Sequence, residues 1–187
     1  GVGVRGYSPK GANSPVLVMT LHPAPPIDSE QTPRWHLKTA SVRLPSNEPL
    51  AQFKNCNKLS QILARAEAEA ANADEALLVN TDGYVVEGAA SNLFWIERGV
   101  VCSPPLASGI LAGVTRAVVV EVCQTLQLPV REVNATLDQL LRSDAVFLSL
   151  SSWGIVPAIS LNGKPLNQSP LTDRIRQTYV ERLMSET

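Results

Sequence analysis

A lysine just ahead of a helical pattern is the first residue whose position suggests chemistry. Lys54 lies in the run Phe-Lys-Asn-Cys-Asn-Lys, and an Ala-, Leu- and Glu-rich helical pattern covers 57–71. An amine at such a boundary can be partly desolvated, which favours its neutral, nucleophilic form. The plainer interpretation is a solvated surface lysine. Lys58, one turn inside the helical pattern, is expected to be a charge on the helix face.

A glutamate at the end of an apolar strand pattern is the second such residue. Glu87 follows Tyr84-Val85-Val86 and precedes the small residues of 88–91. Small side chains leave room for a flat ligand, and the carboxylate would pair with a protonated ring nitrogen of that ligand. The alternative is a charge on an edge strand that faces water.

Two further segments have the features of anion sites. Gly113, Val114 and Thr115 lead into an apolar helical pattern over 115–126, and the unpaired N–H groups of a helix N-terminus attract anions. Hydroxyls also cluster at the end of an apolar strand pattern over 145–150, where they can complete a phosphate cradle. The plainer alternatives are a helix cap by Thr115 and ordinary turn chemistry. The clustered hydroxyls belong to Ser149, Ser151 and Ser152.

These features occur along the chain in the order lysine, glutamate, helix start and serine cluster. They match the requirements of a pyridoxal phosphate site, which needs an amine for a Schiff base, a carboxylate for the pyridine nitrogen, and elements that bind the phosphate. Each feature is weak alone, so the prediction of this cofactor rests on their combination.

The composition excludes several other classes of protein. The chain has 187 residues, of which 44% are apolar and 18% charged, and a net charge of −1, as expected for one globular domain. A near-neutral chain has no electrostatic reason to bind nucleic acid or an anionic membrane, and no apolar run approaches the ~20 residues of a membrane span. The sequence has only two histidines, His22 and His36, so we do not expect a histidine-based metal site or a Ser-His-Asp triad. The three cysteines favour a reducing compartment, so we expect a cytoplasmic protein.

The glycines at the N-terminus match a dinucleotide-binding fingerprint by their letters alone. Gly1, Gly3 and Gly6 have the required spacing, but the turn-forming run Tyr-Ser-Pro-Lys-Gly follows them. The fingerprint requires a helix N-terminus at that point, where the pyrophosphate binds. We therefore do not expect a Rossmann site.

Strand and helix patterns mix along the chain without strict alternation. Residues 16–21 form an apolar run typical of a buried strand, and a Pro-rich loop containing Pro25 and Pro26 follows. Asp82-Gly83 and Arg98-Gly99 predict the turns of two hairpins, 75–87 and 92–102. Further strands are predicted at 35–44, 129–133, 145–150 and 155–161, with helices at 57–71 (Leu59, Ile62, Leu63 and Ala66 at helical spacing), 115–126, 137–141 and from Ser169-Pro170 onward (Ile175, Tyr179 and Leu183 on one face).

Several short runs form a linked set: Lys54-Asn-Cys-Asn-Lys-Leu-Ser-Gln-Ile-Leu-Ala-Arg, Ala73-Asp-Glu-Ala-Leu-Leu, Gly83-Tyr-Val-Val-Glu87-Gly, Ser91-Asn92-Leu-Phe, Ser103-Pro-Pro-Leu and Gly113-Val-Thr-Arg. The set resembles fold-type IV pyridoxal phosphate enzymes, the class IV aminotransferase family. That class holds branched-chain and D-amino acid aminotransferases and aminodeoxychorismate lyase. The resemblance extends from Arg5 to about Ile159. It implies an α/β (α+β) fold with a mixed, barrel-like sheet flanked by helices.

Within this class the sequence looks closest to aminodeoxychorismate lyase. The run Arg5-Gly6-Tyr7-Ser8 resembles a segment that lines the substrate side of the cofactor in the lyase. Branched-chain aminotransferases usually have a tyrosine five residues after the Schiff-base lysine, and Leu59 stands there. This departure argues against the branched-chain enzymes but does not separate the lyase from D-amino acid aminotransferases.

The resemblance implies a role for each matching residue. Lys54 would form the Schiff base, and Glu87 would bind the pyridine nitrogen. Leu150 stands where many relatives have Asn or Gly, which is a departure from the family pattern next to the phosphate contact. The phosphate would be held by Val114, Thr115 and Ser151, with Ser152 as a neighbour, and the substrate would face Arg5 and Tyr7.

The activity implied is the conversion of 4-amino-4-deoxychorismate to 4-aminobenzoate and pyruvate, on the way to folate. The freed Lys54 amine would be the general base and later the acid of this reaction. A first alternative is an aminotransferase of D-amino or branched-chain amino acids. A second is a non-catalytic domain without bound cofactor.

The family has a smaller N-terminal domain that closes over the cofactor, and nothing in 1–187 matches it. We therefore interpret 1–187 as the large cofactor-binding domain, and expect a homodimer as in the family. Without the smaller domain, we expect the chain to bind the cofactor weakly. A lack of catalytic activity would agree with this expectation.

Overall fold

A mixed sheet with four flanking helices forms the part of the chain that the computed structural model describes, residues 3–23 and 33–185. The strands are β1 (Trp35–Leu44), β2 (Glu75–Asn80), β3 (Val85–Gly88), β4 (Asn92–Glu97), β5 (Val100–Ser103), β6 (Val130–Glu132), β7 (Ala145–Leu150), β8 (Gly154–Leu161) and β9 (Lys164–Pro165). The helices are α1 (Leu59–Ala70), α2 (Val114–Thr125), α3 (Leu137–Arg142) and α4 (Pro170–Ser185).

Six of these strands close into a barrel. Their order is β3-β2-β1-β8-β7-β4, and the pairing of β4 with β3 completes the ring. β1 runs parallel to β2 and β8, whereas the other ring neighbours are antiparallel. β5 and β6 extend the sheet from β4, and β9 pairs with β8. The predicted fold class, a mixed barrel-like sheet with helices around it, is confirmed.

Alternation along each strand separates the inside of the barrel from its outer face. Leu93 of β4 and Leu148 of β7 belong to an apolar cluster to which all six ring strands contribute, so this cluster fills the interior. The intervening residues Phe94 and Phe147 face outward, where their stacked rings have centroids 5.0 Å apart. Helices α2 and α4 pack on these rings and bury them.

Most of the predicted local elements are confirmed. Both hairpins form, and the predicted turn residues Gly83, Arg98 and Gly99 have positive φ angles of 88°, 51° and 77°. The last helix begins at Pro170, with Ser169 Oγ accepting the Leu171 N–H at 3.3 Å. The predicted loop at Pro25 and Pro26 lies outside the described residues.

The prediction of a buried strand at 16–21 is wrong. Among the described residues no strand pairs with this segment, and its apolar side chains are exposed, from 73% for Val16 to 99% for Leu21. An apolar run favours burial, but a strand forms only where a neighbouring strand accepts and donates its hydrogen bonds.

Helix α1 packs in the orientation opposite to the one that its apolar spacing favours. Leu59, Ile62 and Leu63 are exposed, whereas Ala64 and Ala68 have no exposed surface and pack against β1 and β2. Small alanine side chains let the helix approach the sheet closely. The large residues are therefore left on the outer face.

A substitution at Gly154 tests how α4 packs on the sheet. Gly154 has a φ of +65°, and an added Cβ would lie 2.8 Å from Cε1 of the buried Tyr179 ring. We expect Gly154→Ala to lower the free energy of unfolding by about 2–4 kcal/mol, because strain in a left-handed backbone adds to overpacking. Urea denaturation measures this loss.

Gly163→Ala is the matched control for this variant. Gly163 has a φ of +76°, but nothing lies within 4 Å of an added Cβ. This variant should lose only the backbone component, about 1–2 kcal/mol. Equal losses in the two variants would contradict the packing of Tyr179 against Gly154.

Candidate functional site

One cleft collects most of the residues that the sequence singled out. It has a volume of about 280 Å³ and lies where the segment before α1, the β3–β4 turn, the start of α2 and the end of β7 meet. These four segments are far apart in sequence, so the sheet brings them together. The predicted cofactor residues that line the cleft are Lys54, Glu87, Val114, Thr115 and Ser151.

Glu87 is the buried carboxylate of this cleft. It is 7% exposed, and its Oε2 accepts the Leu111 N–H at 2.8 Å, with Asn92 Nδ2 at 3.5 Å. Burial raises the pKa of the Glu87 carboxyl to about 7, although the Leu111 N–H and the positive charges of Lys58 and Lys54 act to lower this pKa. The alternative interpretation, an edge charge that faces water, is therefore wrong.

Two lysines reach the cleft rather than one. Lys54 lies outside any helix, as predicted, but its side chain is exposed rather than desolvated. Lys58 is half-buried at the N-cap position of α1 and also lines the cleft, so it is not a charge on the helix face. The assignment of the cofactor amine to Lys54 stays a prediction.

Helix α2 begins at the cleft with an open N-terminus. Its N-cap is Gly113, so the interpretation of Thr115 as a plain cap is wrong, and no side chain caps the helix or places an acidic group in its first turn. Val114 is exposed and Thr115 is buried, and both line the cleft. The first N–H groups of a helix have no partner within it, and together with the helix dipole they form an anion site.

Asn92 is a site residue that the sequence reasoning did not single out. Its Nδ2 donates to the Leu111 carbonyl oxygen at 2.9 Å and lies near Glu87. Its Oδ1 lies so close to Gly113 that a Cβ there would approach it to 2.0 Å. Asn92 thus connects β4 to the segment that enters α2, and Gly113 makes this approach possible. The run Ser91-Asn92 was visible in the sequence, but nothing in it indicated this contact.

Of the three clustered serines, Ser149 and Ser151 line the cleft and Ser152 does not. Ser151 is exposed and lines the cleft, whereas Ser152 is exposed and does not line it. Ser149 lines the cleft and is 1% exposed, and its hydroxyl has no hydrogen-bond partner among the described residues. Leu150 also lines the cleft. The structure therefore brings Ser149 to the site in addition to Ser151.

The predicted substrate residues are not brought to the cleft. Arg5 and Tyr7 are exposed, and neither lines the cleft. Their role stays a prediction.

Two other kinds of feature are absent from the described part of the chain. Within 3–23 and 33–185, no three His, Cys, Asp or Glu side chains are grouped so that they could hold a metal ion. None of the helices over the same residues has the length and apolar character that crossing a membrane requires.

Comparison with known proteins places this chain in a family. The sequence profile of the family described as amino-transferase class IV matches residues 2–161. The chain is 32% identical to the branched-chain-amino-acid aminotransferase of Escherichia coli, over 76% of this chain and 47% of that protein. It is also 32% identical to the aminodeoxychorismate lyase of Vibrio harveyi, over 87% of this chain and 60% of that protein.

Among solved structures, the T.th. branched-chain amino acid aminotransferase superposes with a TM-score of 0.77 and 34% identity, over 82% of this chain and 52% of that one. That enzyme was solved with N-(5'-phosphopyridoxyl)-L-glutamate and with pyridoxamine 5'-phosphate. The chain belongs to the class IV aminotransferase family, which confirms the predicted family and, at the family level, pyridoxal 5'-phosphate as the cofactor. It spans about half to three fifths of the length of these relatives.

The residues of the cleft fit this cofactor. A primary amine, a buried carboxylate and an open helix N-terminus face one space, and they suit an aldehyde, a protonated ring nitrogen and a phosphate respectively. At Gly113 a side chain would collide with Asn92, so the backbone remains bare where the phosphate would approach.

The burial of Glu87 predicts a pH dependence of stability in the cofactor-free protein. Its pKa in the folded chain, about 7, is raised above the ordinary value of 4.5, so its contribution is fully present below pH 4.5 and is lost as the pH rises through 7. The loss is at most about 3.5 kcal/mol, at about 1.4 kcal/mol per pKa unit. We expect Glu87→Gln to remove this component, measured by urea denaturation between pH 5 and pH 8.

Glu97→Gln is the control, because Glu97 ends β4 with an exposed side chain. The stability difference between wild type and this control should not change over the same pH range. If Glu87→Gln and wild type lose stability in parallel as the pH rises, the burial of a protonated carboxyl is contradicted.

Proposed function

We propose that the protein containing 1–187 is a pyridoxal phosphate-dependent lyase that converts 4-amino-4-deoxychorismate to 4-aminobenzoate and pyruvate. The observation that carries the proposal is the convergence of Lys54, Glu87 and the open N-terminus of α2 on one cleft. The similarity to the Vibrio harveyi lyase over 87% of the chain supports the choice of reaction. So does Leu59, where branched-chain aminotransferases usually have a tyrosine.

Glu87 would bind the ring nitrogen of the cofactor and keep it protonated. In the cofactor-free cleft, burial favours the neutral carboxyl of Glu87. A positive charge at the ring nitrogen would offset that desolvation and favour the carboxylate, which makes a strong charge-assisted hydrogen bond. The Leu111 N–H, 2.8 Å from Glu87 Oε2, orients the carboxylate for this contact.

The opposite end of the cofactor would lie at α2. Val114 and Thr115 offer backbone N–H groups at the helix N-terminus, and Ser151 lines the same cleft. The bound cofactor supplies an electron sink for the bonds that change in the substrate. The Lys54 amine would hold the cofactor covalently until the substrate amine displaces it. The freed Lys54 amine would then take a proton from the substrate ring and return one to the leaving enolpyruvyl group.

The remaining parts of the proposal concern the whole protein. We propose that 1–187 is the large cofactor-binding domain of a cytoplasmic homodimer, with the substrate near Arg5 and Tyr7. The chain's match to about half to three fifths of its relatives' length supports the assignment of one domain of a larger enzyme.

An aminotransferase is the second candidate. The similarity to branched-chain aminotransferases, at 32% identity for the Escherichia coli enzyme and 34% for the T.th. structure, favours it. Both reactions use the same amine, carboxylate and phosphate site. The substrate and the need for an acceptor therefore distinguish the two candidates.

We expect 4-aminobenzoate and pyruvate to form from 4-amino-4-deoxychorismate without any 2-oxo acid, because the lyase has no need of an amino acceptor. Chromatography of 4-aminobenzoate and a coupled assay of pyruvate measure the two products. Turnover that requires a 2-oxo acid, with branched-chain or D-amino acids as donors, would instead establish the aminotransferase. Absence of both activities and of an absorbance band at roughly 410–420 nm after pyridoxal phosphate is added would instead establish the non-catalytic domain without bound cofactor.

We also expect Lys54, and not Lys58, to carry the cofactor. Borohydride reduction of the loaded protein followed by peptide mapping should find the pyridoxyl group on Lys54. Lys58→Ala should retain the absorbance band near 410–420 nm, roughly the range of a Schiff base, whereas Lys54→Ala should lose it. A pyridoxyl group on Lys58 would overturn the assignment.

A further inference from the structure

Two buried hydroxyls in the described part of the chain lack a hydrogen-bond partner. They are Ser149 Oγ, in a residue 1% exposed, and Thr172 Oγ1, in a residue 4% exposed. A buried polar group without a partner costs about 1–3 kcal/mol, and such groups are uncommon in folded proteins. Ser149 lines the cleft and Thr172 does not. A ligand bound in the cleft can supply the partner that the Ser149 hydroxyl lacks.

The register of the sheet fixes the direction in which Ser149 faces. Ser149 on β7 pairs with Asn92 on β4, so the two side chains lie on the same face of the sheet. The preceding residue with the same orientation is Phe147, which faces α2 and α4. Asn92 Oδ1 contacts Gly113, the N-cap of α2. Ser149 thus lies beneath the open N-terminus of α2.

The surroundings favour an acceptor with negative charge as the missing partner. A hydroxyl can donate one hydrogen bond, and the unpaired N–H groups at the start of α2 attract anions to the same space. Helix α2 has no acidic residue in its first turn, so no carboxylate of that turn competes for this position. Among the groups of the proposed cofactor, the phosphate matches this combination of donors.

We propose that the Ser149 hydroxyl donates a hydrogen bond to the cofactor phosphate, beside Thr115 and Ser151. The proposal rests on the proposed function, because it assumes that the cleft binds pyridoxal phosphate. The sequence grouped Ser149, Ser151 and Ser152 as hydroxyls that can bind a phosphate, and the family resemblance assigned the contact to Ser151 with Ser152 as its neighbour. The structure places Ser149, and not Ser152, among the residues that line the cleft.

The proposal predicts effects of opposite kind on the empty and the loaded protein. In the cofactor-free protein, Ser149→Ala removes a polar group that has no partner, so thermal stability should be unchanged or higher. In the loaded protein the same variant removes a hydrogen bond to the phosphate. The dissociation constant of pyridoxal phosphate should therefore rise about two- to tenfold, the usual net effect of one hydrogen bond.

The experiment compares two ligands that differ in the phosphate. The cofactor-free full chain is titrated with pyridoxal phosphate and with pyridoxal, followed by absorbance and intrinsic fluorescence, and its melting temperature is measured without ligand. For Ser149→Ala we expect weaker binding of pyridoxal phosphate, unchanged binding of pyridoxal, and an unchanged or raised melting temperature. Thr172→Val is the matched control, since it removes the other unpaired hydroxyl, and it should leave both affinities unchanged.

The other outcomes are distinguishable. If wild type binds pyridoxal phosphate and Ser149→Ala binds it equally well, this inference is overturned and the proposed function stands. Equal weakening for both ligands, or a lower melting temperature of the cofactor-free variant, would show a structural role and also overturn it. If wild type binds neither ligand, the proposed function itself fails, and this inference with it.

Discussion

The pairing of Glu87 with Asn92 joins β3 to β4, and the rest of the structure depends on it. This contact closes the barrel and at the same time builds the carboxylate end of the cleft. Glu87 accepts the Leu111 N–H at 2.8 Å, and Asn92 donates to the Leu111 carbonyl oxygen at 2.9 Å. The segment that leads into α2 is therefore attached to the sheet through both the N–H group and the carbonyl oxygen of Leu111.

Closure at this point also explains how a carboxylate is retained in a buried position. Desolvation raises the pKa of Glu87 to about 7, while the Leu111 N–H and the charges of Lys58 and Lys54 favour the ionised form. The cleft therefore combines one carboxylate with two amines and a helix N-terminus. This distribution suits a ligand with a positive ring nitrogen at one end and a phosphate at the other.

The start of α2 stays open because other contacts hold it in place. Arg116 is buried, and its Nη2 lies 2.7 Å from Glu132 Oε1 while its Nε donates to Ser103 Oγ at 3.2 Å. These contacts tie the first turn of the helix to β5 and β6 without using its N–H groups. A capping side chain at Gly113 would occupy those groups and collide with Asn92.

The sequence by itself determined the local elements and the residue types of the site. Turns such as Asp82-Gly83 form because their geometry depends on a few neighbouring residues, and the family motifs preserve the order of Lys54, Glu87 and Thr115. Tertiary structure decided which side chains face the cleft. Alternation along β7 and pairing with β4 place Ser149 on the outer face of the barrel, in the cleft, and close packing on the sheet buries Ala64 while Leu59 and Ile62 stay exposed. The run 16–21 has strand-like residues, but no described strand pairs with it. Burial and pairing depend on residues distant in sequence, which no local pattern contains.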